Sequence, residues 1–199
     1  MRVIRWRTVV PGLIMTFVCT APETVSAQQY IEPNAFVLGG WAGYGQVDMD
    51  IDNSSNSSRG SFALGFRAGY AITSRTIMGI ELSGWTLKAY DVKDPSKGES
   101  LSNLSAFVNY FPANYSPIYV TGGVGKTSYV NNSPMLSGRD KGGSWFVGSG
   151  YEYPVSKQLM LVPQIRYSQG NFTGGNYHVY EISLGMNWYP KQLNAPHAN

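Results

Sequence analysis

Charge is scarce in this sequence. Lys, Arg, Asp and Glu make up 14% of its 199 residues, against roughly 25% in an average soluble domain. A chain so poor in charge has little surface to offer to water. The formal net charge is only +3, and no cluster of Lys or Arg accompanies it, so no nucleic acid is expected as a partner. The single cysteine, Cys19, excludes a disulfide within the chain. His, Cys, Asp and Glu never fall at metal-ligand spacing. Asp48-Met49-Asp50-Ile51-Asp52 lacks the glycine and distal glutamate of a calcium loop, so neither metal nor cofactor is expected. Beyond the first 27 residues, no apolar run approaches the roughly 18 to 20 residues of a membrane helix. If such a chain crosses a bilayer, it must do so as a closed barrel.

What is present begins with an export pattern. Arg2, Arg5 and Arg7 precede an apolar stretch from Thr8 to Ala21, interrupted by Pro11 and Gly12. Val25-Ser26-Ala27 then supplies modest side chains where a signal peptidase reads. Residues 1–27 are therefore expected to be a cleaved signal peptide. Cys19 lies inside it, after Val18, which is too bulky for a lipidation site. Loss of the three arginines and Glu23 would take the formal charge from +3 to +1.

The remaining chain alternates with the period of two that marks strands. From Phe62 to Ile72 one face reads Phe62, Leu64, Phe66, Ala68, Tyr70, Ile72, and the other Ala63, Gly65, Arg67, Gly69, Ala71. From His178 to Trp188 one face reads His178, Tyr180, Ile182, Leu184, Met186, Trp188. Looser versions occur at 34–47, 78–83, 104–110, 118–125, 145–153 and 159–168, giving eight strands. Long polar connections at 48–60, 88–100, 128–143 and 169–176 alternate with short ones at 73–76, 111–117 and 154–158. Long loops on one side and short turns on the other is the layout of an outer-membrane barrel.

The polar face of these strands is mostly Gly, Ala and Ser, with about one charge each. That is too poor for a wet outer wall, so the apolar face is expected to meet lipid. Tyr44, Tyr70, Tyr110, Tyr151, Tyr153, Tyr167, Tyr180 and Trp188 lie near its ends and are candidates for interfacial girdles. The polar face carries Arg67, Glu81, Glu152, Arg166 and Glu181. Charges in a narrow lumen must be paired, so these five are expected to form an ion-pair network. Arg67 and Glu81 lie on adjacent strands, as do Glu152 and Arg166, and Glu181 follows on the next, which leaves the network a formal excess of one carboxylate. Eight strands leave an interior only wide enough for side chains, which disfavours an open pore.

Signals for catalysis are thin. His178 falls on the apolar face. Arg166-Tyr167-Ser168-Gln169 stands where lipid A hydrolases of this size carry His-x-Ser-Asn, and a serine without a base is a weak nucleophile. Gly122-Gly123-Val124-Gly125-Lys126-Thr127 lacks the glycine spacing and following helix of a phosphate loop. Its glycines suit a strand that admits bulky neighbours in the lumen.

Phe36 to Tyr44 (FVLGGWAGY), Leu64 to Tyr70 (LGFRAGY), Tyr119 to Gly125 (YVTGGVG) and Ser183 to Trp188 (SLGMNW) resemble the small OmpA/OmpX-type outer membrane protein β-barrel domain family. The resemblance covers nearly all of the chain after residue 27. It implies an all-β fold, an eight-stranded antiparallel up-and-down transmembrane β-barrel at residues 28–189. It also implies insertion by the barrel-assembly machinery, which would read the final strand Tyr180 to Trp188. Residues 190–199 are expected to form a short periplasmic tail. The expected protein is a monomeric, non-catalytic barrel with a plugged, charged lumen. It would sit among outer-membrane lipid and lipopolysaccharide, and its loops could meet a host or surface ligand. The alternatives are a narrow gated channel, a lipid A-modifying enzyme, and a soluble periplasmic ligand-binding barrel.

Overall fold

The computed structural model describes residues 33–51, 57–88, 98–113, 116–131 and 138–190. The expected signal peptide and almost all of the expected tail lie outside the described residues. The described chain is strand and turn throughout: β1 (Phe36–Ile51), β2 (Ser57–Thr73), β3 (Thr76–Lys88), β4 (Glu99–Tyr110), β5 (Ile118–Asn131), β6 (Gly138–Tyr151), β7 (Tyr153–Pro154), β8 (Leu159–Phe172) and β9 (Gly175–Trp188). Each long strand pairs antiparallel with its sequence neighbours, and β1 pairs with β9. With β6 also paired to β8, the pairing of the first strand with the last closes the sheet on itself.

The nine elements make eight walls, because β7 only continues β6. Gly150 pairs with Gln164 and Tyr153 with Leu161, which is one unbroken register with Pro163 opposite Tyr151. Proline has no N–H to give the ladder, and the strand lapses there. The Glu152 amide instead donates to the Pro117 carbonyl at 2.8 Å.

Alternation along the strands becomes inside and outside. On β2, Ser61, Ala63, Gly65, Arg67, Gly69 and Ala71 are buried, while Phe62, Leu64, Phe66, Tyr70 and Ile72 are exposed. The same holds on β9, where Tyr180, Ile182, Leu184, Met186 and Trp188 are all exposed. A continuous belt of large apolar side chains around the outside would be untenable in water. It is the wall a bilayer requires, and it removes the soluble ligand-binding barrel, whose apolar face would have pointed inward.

The strands run further than the sequence pattern indicates. They reach 12 to 17 residues, β7 apart, against the roughly 9 to 11 needed to cross. Much of the expected loops at 48–60, 128–143 and 169–176 is therefore paired strand. Asp48 faces Ser58, Ser128 faces Lys141, and Asn171 faces Asn176. Beyond the belt water meets the outer face, so the apolar alternation fades while backbone pairing continues. The last connection is a two-residue turn, Thr173-Gly174, in which Gly174 has φ +88°, a conformation that favours glycine.

Candidate functional site: the filled interior and the outer wall

The interior is built in three layers. At the short-turn end, Val37, Ile77, Phe107, Phe111, Tyr119, Phe146, Met160, Val162 and Tyr189 form one buried apolar cluster with Ala35 and Ala71. At the loop end, Val47, Met49, Trp85, Leu87, Leu101, Tyr129, Phe172, Tyr177 and Val179 form another with Ala63. The charged residues lie between them. Sequence reading expected a lumen of small polar residues and missed these aromatic layers. The signal was there in parity: Trp41, Trp85, Phe107, Tyr119, Phe146 and Tyr177 share the face of Arg67 and Glu81.

Glycine is what lets such rings fit. Trp41 is the cross-strand partner of Gly65, Tyr119 of Gly150, Phe146 of Gly123 and Tyr177 of Gly170. A Cβ on any of these glycines would come within 2.0 to 2.6 Å of the opposing ring.

Five predicted charges point inward and are nearly fully buried, but they do not form one ion-pair network. Arg67 and Glu81 are cross-strand partners, with Arg67 Nη2 3.9 Å from Glu81 Oε2. Arg166 reaches across the lumen to donate to Glu81 Oε1. One carboxylate thus serves two guanidinium groups. The remaining guanidinium surface lies on rings. The Trp41 ring centroid lies 4.6 Å from Arg67 Cζ and 5.1 Å from Arg166 Cζ, and Arg166 Cζ lies 3.9 Å from the Phe146 ring centroid. Such contacts offset the Nε and Nη1 atoms of both arginines, which make no hydrogen bond among the described residues.

The other two glutamates are held by neutral donors, a correction to the expected ion-pair network of all five. Glu181 is the register neighbour of Arg166, yet it accepts from Trp41 Nε1 and Trp85 Nε1, each at 3.0 Å, and from Ser183 Oγ at 2.9 Å. Gln164 extends this network. It accepts from Arg67 Nη2 at 2.9 Å and from Tyr119 Oη at 3.2 Å, and donates to Ser183 Oγ at 2.9 Å. Glu152 sits at the short-turn mouth, where Asn187 Nδ2 donates at 2.6 Å and Tyr189 Oη at 2.9 Å. Adjacent strands brought the right charges close, but indole, amide and phenol donors on other walls reached the carboxylates better.

Tyr189→Phe would leave Glu152 with the Asn187 amide alone. A hydrogen bond to a charged group is worth about 1.5–3 kcal/mol, and a drop of that size in unfolding free energy is expected from urea titration of the folded barrel.

All eight predicted girdle residues point outward. Tyr44, Tyr167 and Tyr180 lie toward the loop end, and Tyr70, Tyr110, Tyr151, Tyr153 and Trp188 toward the short-turn end. Trp145, absent from the sequence prediction, faces outward beside Tyr167 with ring centroids 5.6 Å apart. His178 is also on the outer wall, its Nδ1 2.9 Å from Tyr167 Oη. Ser168 points inward and is buried, out of reach of any lipid. Among the described residues, no group of three His, Cys, Asp or Glu could hold a metal.

Comparison with known proteins agrees with this architecture. No curated protein matches the chain. Among solved structures, Neisserial surface protein A shares 17% identity at a TM-score of 0.54, covering 77% of this chain and 96% of that one. Ail, the attachment invasion locus protein of Yersinia pestis, shares 14% identity at a TM-score of 0.48, covering 79% and 100%. At 17% identity the likeness to Neisserial surface protein A is one of fold. The family model for the outer membrane protein beta-barrel domain matches residues 13–189. The exposed apolar belt, the closed eight-walled sheet and that match agree, and the chain belongs to the outer membrane protein β-barrel domain family.

Proposed function

We propose that this protein is a sealed, non-catalytic barrel that acts through its outer surface rather than through its lumen. The observation that carries this reading is the filled interior. Apolar side chains occupy both ends, and in the polar layer between them Arg67 and Arg166 lie against Glu81 while Glu181 is held by two indoles. An ion entering from either mouth would have to shed its water against Phe, Tyr and Trp rings. Beyond the lipid belt the strands continue as a paired collar that includes Asp48, Ser58, Ser128 and Lys141. A paired collar at the loop end suits adhesion, surface recognition or envelope integrity. Export on residues 1–27, assembly through the final strand and a monomeric state belong to the same reading.

Two measurements test it. In planar bilayers the purified protein is expected to leave the conductance at the bare-membrane level. Discrete current steps would favour the gated channel instead. Lipid A from cells with and without the protein is expected to give identical mass spectra, because Ser168 lies inside the barrel and Arg166 is bound to Glu81. A reproducible mass change would make the protein an enzyme.

A further inference from the structure

Toward the loop end the outer wall is not the same all round. Past the apolar belt, β1 turns Gln46, Asp48 and Asp50 outward, β2 turns Ser58 and Gly60, β3 Thr86, and β4 Ser100 and Ser102. On the other side β5 and β6 present Lys126 and Lys141, both exposed. The register sets Lys126 opposite Gly143 and Ser128 opposite Lys141. The two lysines are therefore diagonal neighbours on one face, roughly 7–8 Å apart at the backbone, with Gly143 between them.

Gly143 leaves a bare floor. A Cβ there would meet only Asn171 Oδ1, at 3.6 Å, the atom that accepts the Gly143 N–H at 2.9 Å. Trp145 stands next along β6, 43% exposed, and begins an aromatic shelf. It is edge-on to Tyr167, which packs 5.0 Å from Tyr180 and stacks on His178. Val124 opposite Trp145, Val147 opposite Tyr167, and Ile165 two residues below Tyr167 continue the exposed apolar belt.

We propose that this wall binds one phosphorylated glycolipid of the outer leaflet. Its phosphate sits over Gly143 between Lys126 and Lys141, its sugar lies against Trp145 and Tyr167, and its acyl chains descend along Val124, Val147 and Ile165. Each part of the wall answers one part of such a molecule. Two ammonium groups match a phosphate dianion, amphipathic rings match a sugar at the interface, and branched aliphatic side chains match hydrocarbon. The acidic wall of β1 would repel the same headgroup, which fixes the position around the barrel. The proposal depends on the outward placement of these residues and not on whether the lumen conducts.

The test titrates the full chain, folded in a neutral maltoside detergent, with diphosphorylated lipid A. Binding is read from the rise in the temperature at which the folded gel band is lost. K126Q/K141Q is expected to weaken the apparent affinity about thirtyfold, from two lysines near a charged headgroup, and to leave binding of fully dephosphorylated lipid A unchanged. Gly143→Trp fills the floor with both lysines intact and is expected to weaken binding of the diphosphorylated form likewise. Both variants change outward side chains only, and a retained boiling-sensitive band reports their fold. Unchanged affinity in both variants overturns the proposal. So does displacement of the lipid by inorganic phosphate alone, which would make this a site for a free anion. Bilayer recordings on the same samples report the sealed lumen separately, so the two readings can fail independently.

Discussion

Replacing Glu81 by Ala is expected to abolish or severely weaken the folded barrel. Glu81 is the carboxylate that both central arginines contact, and its side chain is 1% exposed. Arg67 and Arg166 are themselves 2% exposed, and an arginine cannot shed its proton to escape burial. The alanine variant would leave two guanidinium groups near one indole, with Gln164 still accepting from Arg67 but not from Arg166. Breaking a buried ion pair from one side costs about 3–5 kcal/mol, and here two cations lose the same partner. The boiling-sensitive gel band should be lost or shifted to much lower urea. The triple variant Arg67→Met, Glu81→Leu, Arg166→Met should recover much of the loss, since apolar residues of similar volume can replace a buried ion group at little cost. A Glu81→Ala barrel as stable as the parent would mean that ring contacts and Gln164 alone hold the arginines.

Gly79→Val should be nearly as damaging, for a reason that involves no charge. Gly79 is the cross-strand partner of Gly69 on one side and Phe107 on the other. A Cβ there would lie 2.1 Å from the Ala68 carbonyl oxygen and 2.6 Å from the Gly69 Cα. Both are backbone atoms, so relief requires moving β2 against β3. Overpacking a core by a side chain usually costs about 1–3 kcal/mol, and a clash with a closed ladder belongs at the upper end or beyond. Gly84 on the same strand is the control, because its nearest contact would be the Leu101 carbonyl at 3.5 Å. Gly84→Ala should leave the urea midpoint unchanged or slightly raised, as glycine in a strand carries an entropic penalty. Equal tolerance at both positions would show that the wall flexes more than this geometry allows.

The fold was legible because two independent patterns agreed. Strict alternation at Phe62 to Ile72 and His178 to Trp188 assigned the strands, and the poverty of charge on the second face assigned the outside. Strand ends were less legible. Residues such as Asp48, Ser128 and Asn171 lie beyond the belt, where polarity no longer reports which way a side chain points. The five lumen charges were legible as a set, since an inward charge on a narrow barrel stands out against Gly, Ala and Ser. Their partners were not, except for the neighbours Arg67 and Glu81.

Period two and the placement of apolar residues are local properties of the chain, and they suffice to specify a closed, lipid-facing barrel. Which side chains meet inside it depends on long-range contacts. The Trp41 and Trp85 indoles meet on Glu181 from strands 140 and 96 residues away in sequence. Arg166 crosses the lumen to Glu81 over a separation of 85. Those contacts depend on the stagger with which the first strand meets the last, β1 against β9. Shifting that closure by two residues would preserve every inward and outward assignment while moving Trp41 away from Glu181 and Arg166 away from Glu81.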